Sequence, residues 1–74
     1  MTPNQQSPPN MKMTRLELYQ SCKKLNSARG GNDWQFERDN RLFITQGGGG
    51  VECIWFDVVS GIYRRSYFKG VTLV

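Results

Sequence analysis

The sequence predicts an α+β fold, with one N-terminal helix packed on an antiparallel β-meander of three to five strands. Three observations carry that expectation. Thr14 and Glu17 have the spacing of a helix capping box. Past Gly31 the apolar residues change from a helical to an alternating period. Residues 51–58, Val-Glu-Cys-Ile-Trp-Phe-Asp-Val, are apolar on both faces of an extended chain.

A capping box works reciprocally: the threonine oxygen accepts from the backbone N–H three residues on, and the glutamate reaches back to the threonine N–H. Met13 and Leu18 occupy the two positions of a hydrophobic staple, which sets the entry angle of the chain. The helix is predicted over 14–28, fraying after Leu25. Leu18, Cys22 and Leu25 make its apolar stripe with Tyr19 beside it, and Arg15, Gln20, Lys23 and Lys24 point away. Gly30 and Gly31 stop it.

Residues 34–38 then read as a strand, with Trp34 and Phe36 on one face. Asp39 and Asn40 make a two-residue turn, and 41–46 return as a second strand. Gly47 to Gly50 connect to the run at 51–58. Val51, Cys53 and Trp55 lie on one face of that run, and Ile54, Phe56 and Val58 on the other. This predicts a central strand covered on both sides. Val59-Ser60-Gly61 is a turn, 62–68 a further strand, and 71–74 a short last one. The alternative architecture is a small SH3-like barrel with the helix closing one end.

Val51-Glu52-Cys53, Trp55-Phe56-Asp57 and then Phe68 and Leu73 resemble the pattern in short bacterial proteins of the YodC-like family. The likeness covers residues 51–73 and none of the helix, and the glycine run departs from it. The resemblance implies a small SH3-like β unit and no particular role.

A chain of 74 residues makes one small domain. The first thirteen residues hold all three prolines and no aromatic, so residues 1–12 are expected to be a disordered tail and 13–74 a single domain. No apolar run approaches the ~18 residues of a membrane span, and the N-terminus lacks the apolar stretch of a secretory signal. The expectation is a cytoplasmic protein, monomeric or weakly dimeric, with no membrane partner. Cys22 and Cys53 fit that setting, as two free thiols or as one bond from helix to sheet.

The residue types exclude most chemistry. There is no histidine, the commonest general base and metal ligand. No Cys-x-x-Cys pair occurs, and the acids are spread singly. The glycine run is followed by Val51-Glu52-Cys53 and not by the Lys-Ser/Thr and helix start of a phosphate loop, so it reads as a mobile hairpin connection. A protein that is not an enzyme, with no cofactor and no metal, is expected.

Binding is the remaining class. The net charge is +4, and it is unevenly spread. Residues 1–30 carry five cations and one acid, 31–57 two cations and five acids, and 58–74 three cations and no acid. In the strand at 62–68, Tyr63, Arg65 and Tyr67 share a face, with Lys69 following. Aromatic and cationic side chains alternating on one face can stack bases and hold phosphates. They are also the types that dominate protein interfaces. Lys23, Lys24 and Arg29 would extend the charge if the helix lies beside that strand. The first expectation is a small protein-interaction module, of the kind phage and mobile elements use as effectors or inhibitors of a host macromolecule. The alternative is a small basic nucleic-acid-binding or regulatory protein.

Overall fold

A computed structural model describes residues 11–39 and 41–74. In chain order the elements are β1 (Met11–Met13), α1 (Arg15–Ala28), α2 (Asp33–Asp39), β2 (Leu42–Gly47), β3 (Gly50–Asp57), β4 (Ile62–Lys69) and β5 (Val71–Leu73). The fold is α+β. α1 packs on a three-stranded antiparallel sheet ordered β2-β3-β4, and β1 and β5 make a separate two-stranded parallel sheet. No closed barrel forms, so the SH3-like alternative, and with it the unit implied by the YodC-like resemblance, is corrected. Among the described residues no helix is long and apolar enough to cross a membrane.

α1 begins as its sequence dictates. The Glu17 N–H donates to Thr14 Oγ1 at 3.1 Å, and the Thr14 N–H donates to Glu17 Oε1 at 2.8 Å. The staple closes as well, with Leu18 fully buried and Met13 packed against the core. The helix runs on to Ala28 without breaking after Leu25. Gly30, at φ +88°, then turns the chain out of it.

The strand expected at 34–38 is instead α2. Two residues apart on a strand share a face, but on a helix they are about 200° apart. Phe36 is accordingly buried against Tyr19 and Trp55, whereas Trp34 is 57% exposed under the Arg38 guanidinium. The start is marked by Asn32, whose carbonyl accepts from the Phe36 N–H and whose side-chain amide donates to Gln35 Oε1 at 3.0 Å. Of the expected Asp39-Asn40 turn, Asp39 is the last residue of α2, and Asn40 lies outside the described residues.

The β2–β3 connection is a tight two-residue turn. Gly48 and Gly49 have φ of +60° and +80°, and Gly47 pairs with Gly50. Both central residues at positive φ match the right-handed twist of the strands, and glycine adopts that conformation without strain. β3 is central as expected. Its residues pair with β2 from Leu42↔Trp55 to Gly47↔Gly50, and with β4 from Gly50↔Lys69 to Asp57↔Ile62.

The chain leaves β4 through Gly70, at φ +77°, and β5 turns away from the meander to pair with β1, Met11 beside Val71 and Met13 beside Leu73. The short last strand is therefore present but is not part of the antiparallel sheet. Gln46 joins the two sheets, donating to Val71 O at 3.2 Å and accepting from the Leu73 N–H at 2.7 Å. Of the expected tail, residues 1–10 lie outside the described residues. Met11 and Lys12 fall inside a strand, because their backbone has a partner in β5.

The core sits between α1 and one face of the sheet. Leu18 and Cys22 from the helix meet Val51, Cys53 and Trp55 from β3, with Phe36, Leu42 and Val71 closing the sides. Asn26 is buried here too, and its Oδ1 accepts from the Trp55 indole N–H at 3.3 Å. This partner makes a tryptophan affordable in so small a core.

Candidate functional site

The face of the sheet away from α1 carries the candidate site. Directly paired residues share a face, so the register assembles it across three strands. β2 contributes Phe43 and Thr45, β3 contributes Glu52, Ile54 and Phe56, and β4 contributes Tyr63, Arg65 and Tyr67. The cross-strand rows are Phe43–Ile54–Arg65 and Thr45–Glu52–Tyr67, with Phe56 beside Tyr63. Among the described residues no element covers this face. Phe43 is 56% exposed, Tyr63 58% and Tyr67 49%, with Ile54 and Phe56 half-buried between them. The expectation that β3 is covered on both sides is thus corrected. One helix has width for one face, and the other stays open.

The side chains on this face are held. The Phe56 and Tyr63 rings meet edge to face with centroids 5.1 Å apart. The Arg65 guanidinium pairs with the Glu52 carboxylate at 3.1 Å. The Tyr67 hydroxyl donates to Gly48 O at 2.6 Å, and its ring lies over Gly50, where an added Cβ would meet the hydroxyl at 2.7 Å and Phe68 O at 2.4 Å. The Gly70 N–H donates to Gly49 O at 2.8 Å. The glycine run expected to be a mobile connection is therefore a tied turn that seats Tyr67.

Of the residues singled out from sequence, Tyr63, Arg65, Tyr67 and Lys69 do come together on β4, each exposed. Lys23, Lys24 and Arg29 do not join them. They belong to α1 and its C-cap, and α1 covers the opposite face of the sheet. Lys23 is paired with Glu37 of α2. Lys24 lines a shallow groove with Gln20, Ser27 and Asp33, and Arg29 is the exposed C-cap. Sequence reasoning missed Phe43, Ile54 and Phe56 as surface residues. The signal for Phe43 was present, because a two-residue Gly48-Gly49 turn fixes the register that sets it opposite Ile54.

Two buried polar groups lie apart from this face. Asp57 anchors the β3–β4 turn, accepting from Ser60 Oγ at 2.8 Å, Arg64 Nε at 3.1 Å and the Val59 N–H at 3.0 Å. Burial alone would raise its carboxyl. The bonds from Ser60, Arg64 and the turn backbone outweigh that and hold it below its ordinary value. Cys22 and Cys53 are free, fully buried thiols facing each other between helix and sheet. Burial, and then the neighbouring Cys53, push the Cys22 thiol up to about 12. It is a thiol and not a thiolate at neutral pH, which makes it a poor nucleophile. Among the described residues no three His, Cys, Asp or Glu side chains gather as metal ligands.

No family model matches the chain, no curated protein matches it, and no solved structure matches it.

Proposed function

We propose that this protein is a small non-catalytic interaction module that docks a protein partner on the open sheet face formed by Phe43, Ile54, Phe56, Tyr63, Arg65 and Tyr67. The observation that carries this reading is an aromatic and aliphatic face spanning three strands with, among the described residues, no layer over it. Exposed apolar area of this kind costs solubility and is retained where a partner covers it. Tyrosine, phenylalanine and arginine are the side chains that supply most binding energy at such surfaces.

The charge on the face favours protein over nucleic acid. Arg65 is already neutralised by Glu52, and the cations of α1 lie on the far layer. Among the described residues, the cations left to a phosphate backbone on this side are Lys69 and, by alternation from Phe43, Arg41, at opposite corners of the sheet. The complementary partner surface is therefore apolar, with few charges. The setting expected from the sequence, an effector or inhibitor of a host macromolecule, is compatible with that partner.

Affinity capture from the source cell tests the reading. The wild-type chain retains a defined protein, and Tyr67→Ala and Arg65→Glu weaken its retention while far-UV circular dichroism is unchanged. Single- and double-stranded oligonucleotides at low salt leave the amide NMR shifts of β2–β4 in place. Retention unaffected by both substitutions, or oligonucleotide shifts mapping to β4, contradicts the proposal.

A further inference from the structure

The two edges of the antiparallel sheet differ. Backbone direction follows from the glycine turn. The closing pair of a two-residue hairpin exchanges both hydrogen bonds, so Gly47, Thr45 and Phe43 turn their backbone groups toward β3, and Leu42, Ile44 and Gln46 turn theirs outward. The β2 edge is occupied. Arg15 Nη2 donates to Leu42 O at 3.2 Å, and Gln46 ties that end of the strand to β5. Continuing the alternation through β3, the residues of β4 that face β3 are Ile62, Arg64, Ser66 and Phe68. Tyr63, Arg65, Tyr67 and Lys69 therefore point their N–H and C=O groups out of the sheet. Among the described residues no strand or side chain bonds to them.

We infer that β4 pairs, antiparallel and about a twofold axis, with β4 of a second copy of this chain. The register is set by the strand's own charges together with the need to pair all four free-edge residues. A twofold antiparallel pair on this strand must centre on one residue. Centring on Arg65 sets Arg65 against its own copy, and centring on Arg64 does the same for Arg64. Centring on Tyr67 sets Arg65 against Lys69. Each of these apposes like charges, which opposes pairing. Centring on Ser66 does not. It sets Arg65 opposite Tyr67, Tyr63 opposite Lys69 and Arg64 opposite Phe68. Every cation then faces an aromatic ring. It also brings all the free-edge groups of Tyr63, Arg65, Tyr67 and Lys69 into hydrogen-bonded pairs. The contact is self-complementary and closed, so it ends at a dimer. It makes one six-stranded sheet whose open aromatic face is doubled. The inference concerns the edge of the sheet and stands independently of what docks on its face.

Sedimentation equilibrium over a concentration series tests it. The wild-type mass rises toward twice the 8.5 kDa of one chain. Tyr67→Lys, which puts a lysine opposite Arg65 at two symmetric places, holds the mass at one chain. Arg65→Glu/Tyr67→Lys, which makes both pairs opposite in charge, restores the dimer. Hydrogen exchange on the unaltered chain supplies a readout that needs no variant. The amides of Tyr63, Arg65, Tyr67 and Lys69 gain protection as concentration rises. A wild-type chain that stays monomeric to its solubility limit overturns the inference. So does a dimer that survives Tyr67→Lys, a double variant that remains monomeric, or a dimer in which those amides stay unprotected.

Discussion

The two faces of the sheet are built from the same kinds of residue and have opposite fates. On the α1 side, Val51, Cys53 and Trp55 are all buried; on the other, Ile54 and Phe56 are half-buried, and Phe43, Tyr63 and Tyr67 are about half exposed or more. Alternating hydrophobicity reports that a face is apolar. It does not report whether the chain has an element left to cover it. Here α1 and α2 are both spent on one side, because Phe36 of α2 packs on Tyr19 and Trp55. The surplus face is the one proposed to dock a partner.

The largest expected asymmetry is in stability. Trp55→Ala removes the biggest buried side chain and leaves the Asn26 side-chain Oδ1 without the indole N–H it accepts from. It costs about 3–5 kcal/mol in urea unfolding, enough to unfold a domain of this size. Gly50→Ala comes next. Its Cβ would lie 2.4 Å from Phe68 O, a backbone atom that cannot swing aside, so β3 and β4 must shift. A loss of about 1–3 kcal/mol is expected, together with displacement of the Tyr67 ring seen in its NMR shifts.

The anchor at the β3–β4 turn gives a smaller effect with a pH signature. Asp57 has a folded pKa below its ordinary 3.8, so its stabilisation is present in full above that pH and is lost as pH falls through the lower folded value. Asp57→Asn is therefore less stable than wild type at neutral pH, by about 1–2 kcal/mol. The gap between the two closes in urea titrations carried below pH 3.8. The smallest effect belongs to the open face. Tyr63→Ala loses one edge-to-face pair with Phe56 and little burial, so its unfolding free energy falls by only about 0.5–1 kcal/mol. A loss as large as that of Trp55→Ala would mean that this face is part of the core.

Local signals were the most legible. The Thr14–Glu17 box located the start of α1, and the apolar run at 51–58 located the central strand, because both depend on neighbours within a few residues. Residues 34–38 read as a strand in sequence because Trp34 and Phe36 alternate. Over so short a stretch an alternation of two aromatics also fits one buried and one exposed helical residue, and Asn32-Asp33-Trp34-Gln35 was the start signal that decides it. The β1–β5 pairing joins the two ends of the domain, a contact that no local pattern encodes. Of the candidate site, the β4 half was legible from period two alone. The β2 and β3 half was not, since Phe43 enters only through register and Ile54 and Phe56 only through the absence of a second covering layer. Charge alone groups Lys23, Lys24 and Arg29 with β4, whereas the helix places them on the opposite layer.

The proposed docking role of the whole face, beyond β4 alone, is tested most directly at Phe43. It sits on β2, across the sheet from the tyrosines and clear of the β4 edge. Affinity capture with Phe43→Ser as bait, compared with wild type at equal folded concentration, is predicted to lose the retained partner. Undiminished retention by Phe43→Ser would contradict the account.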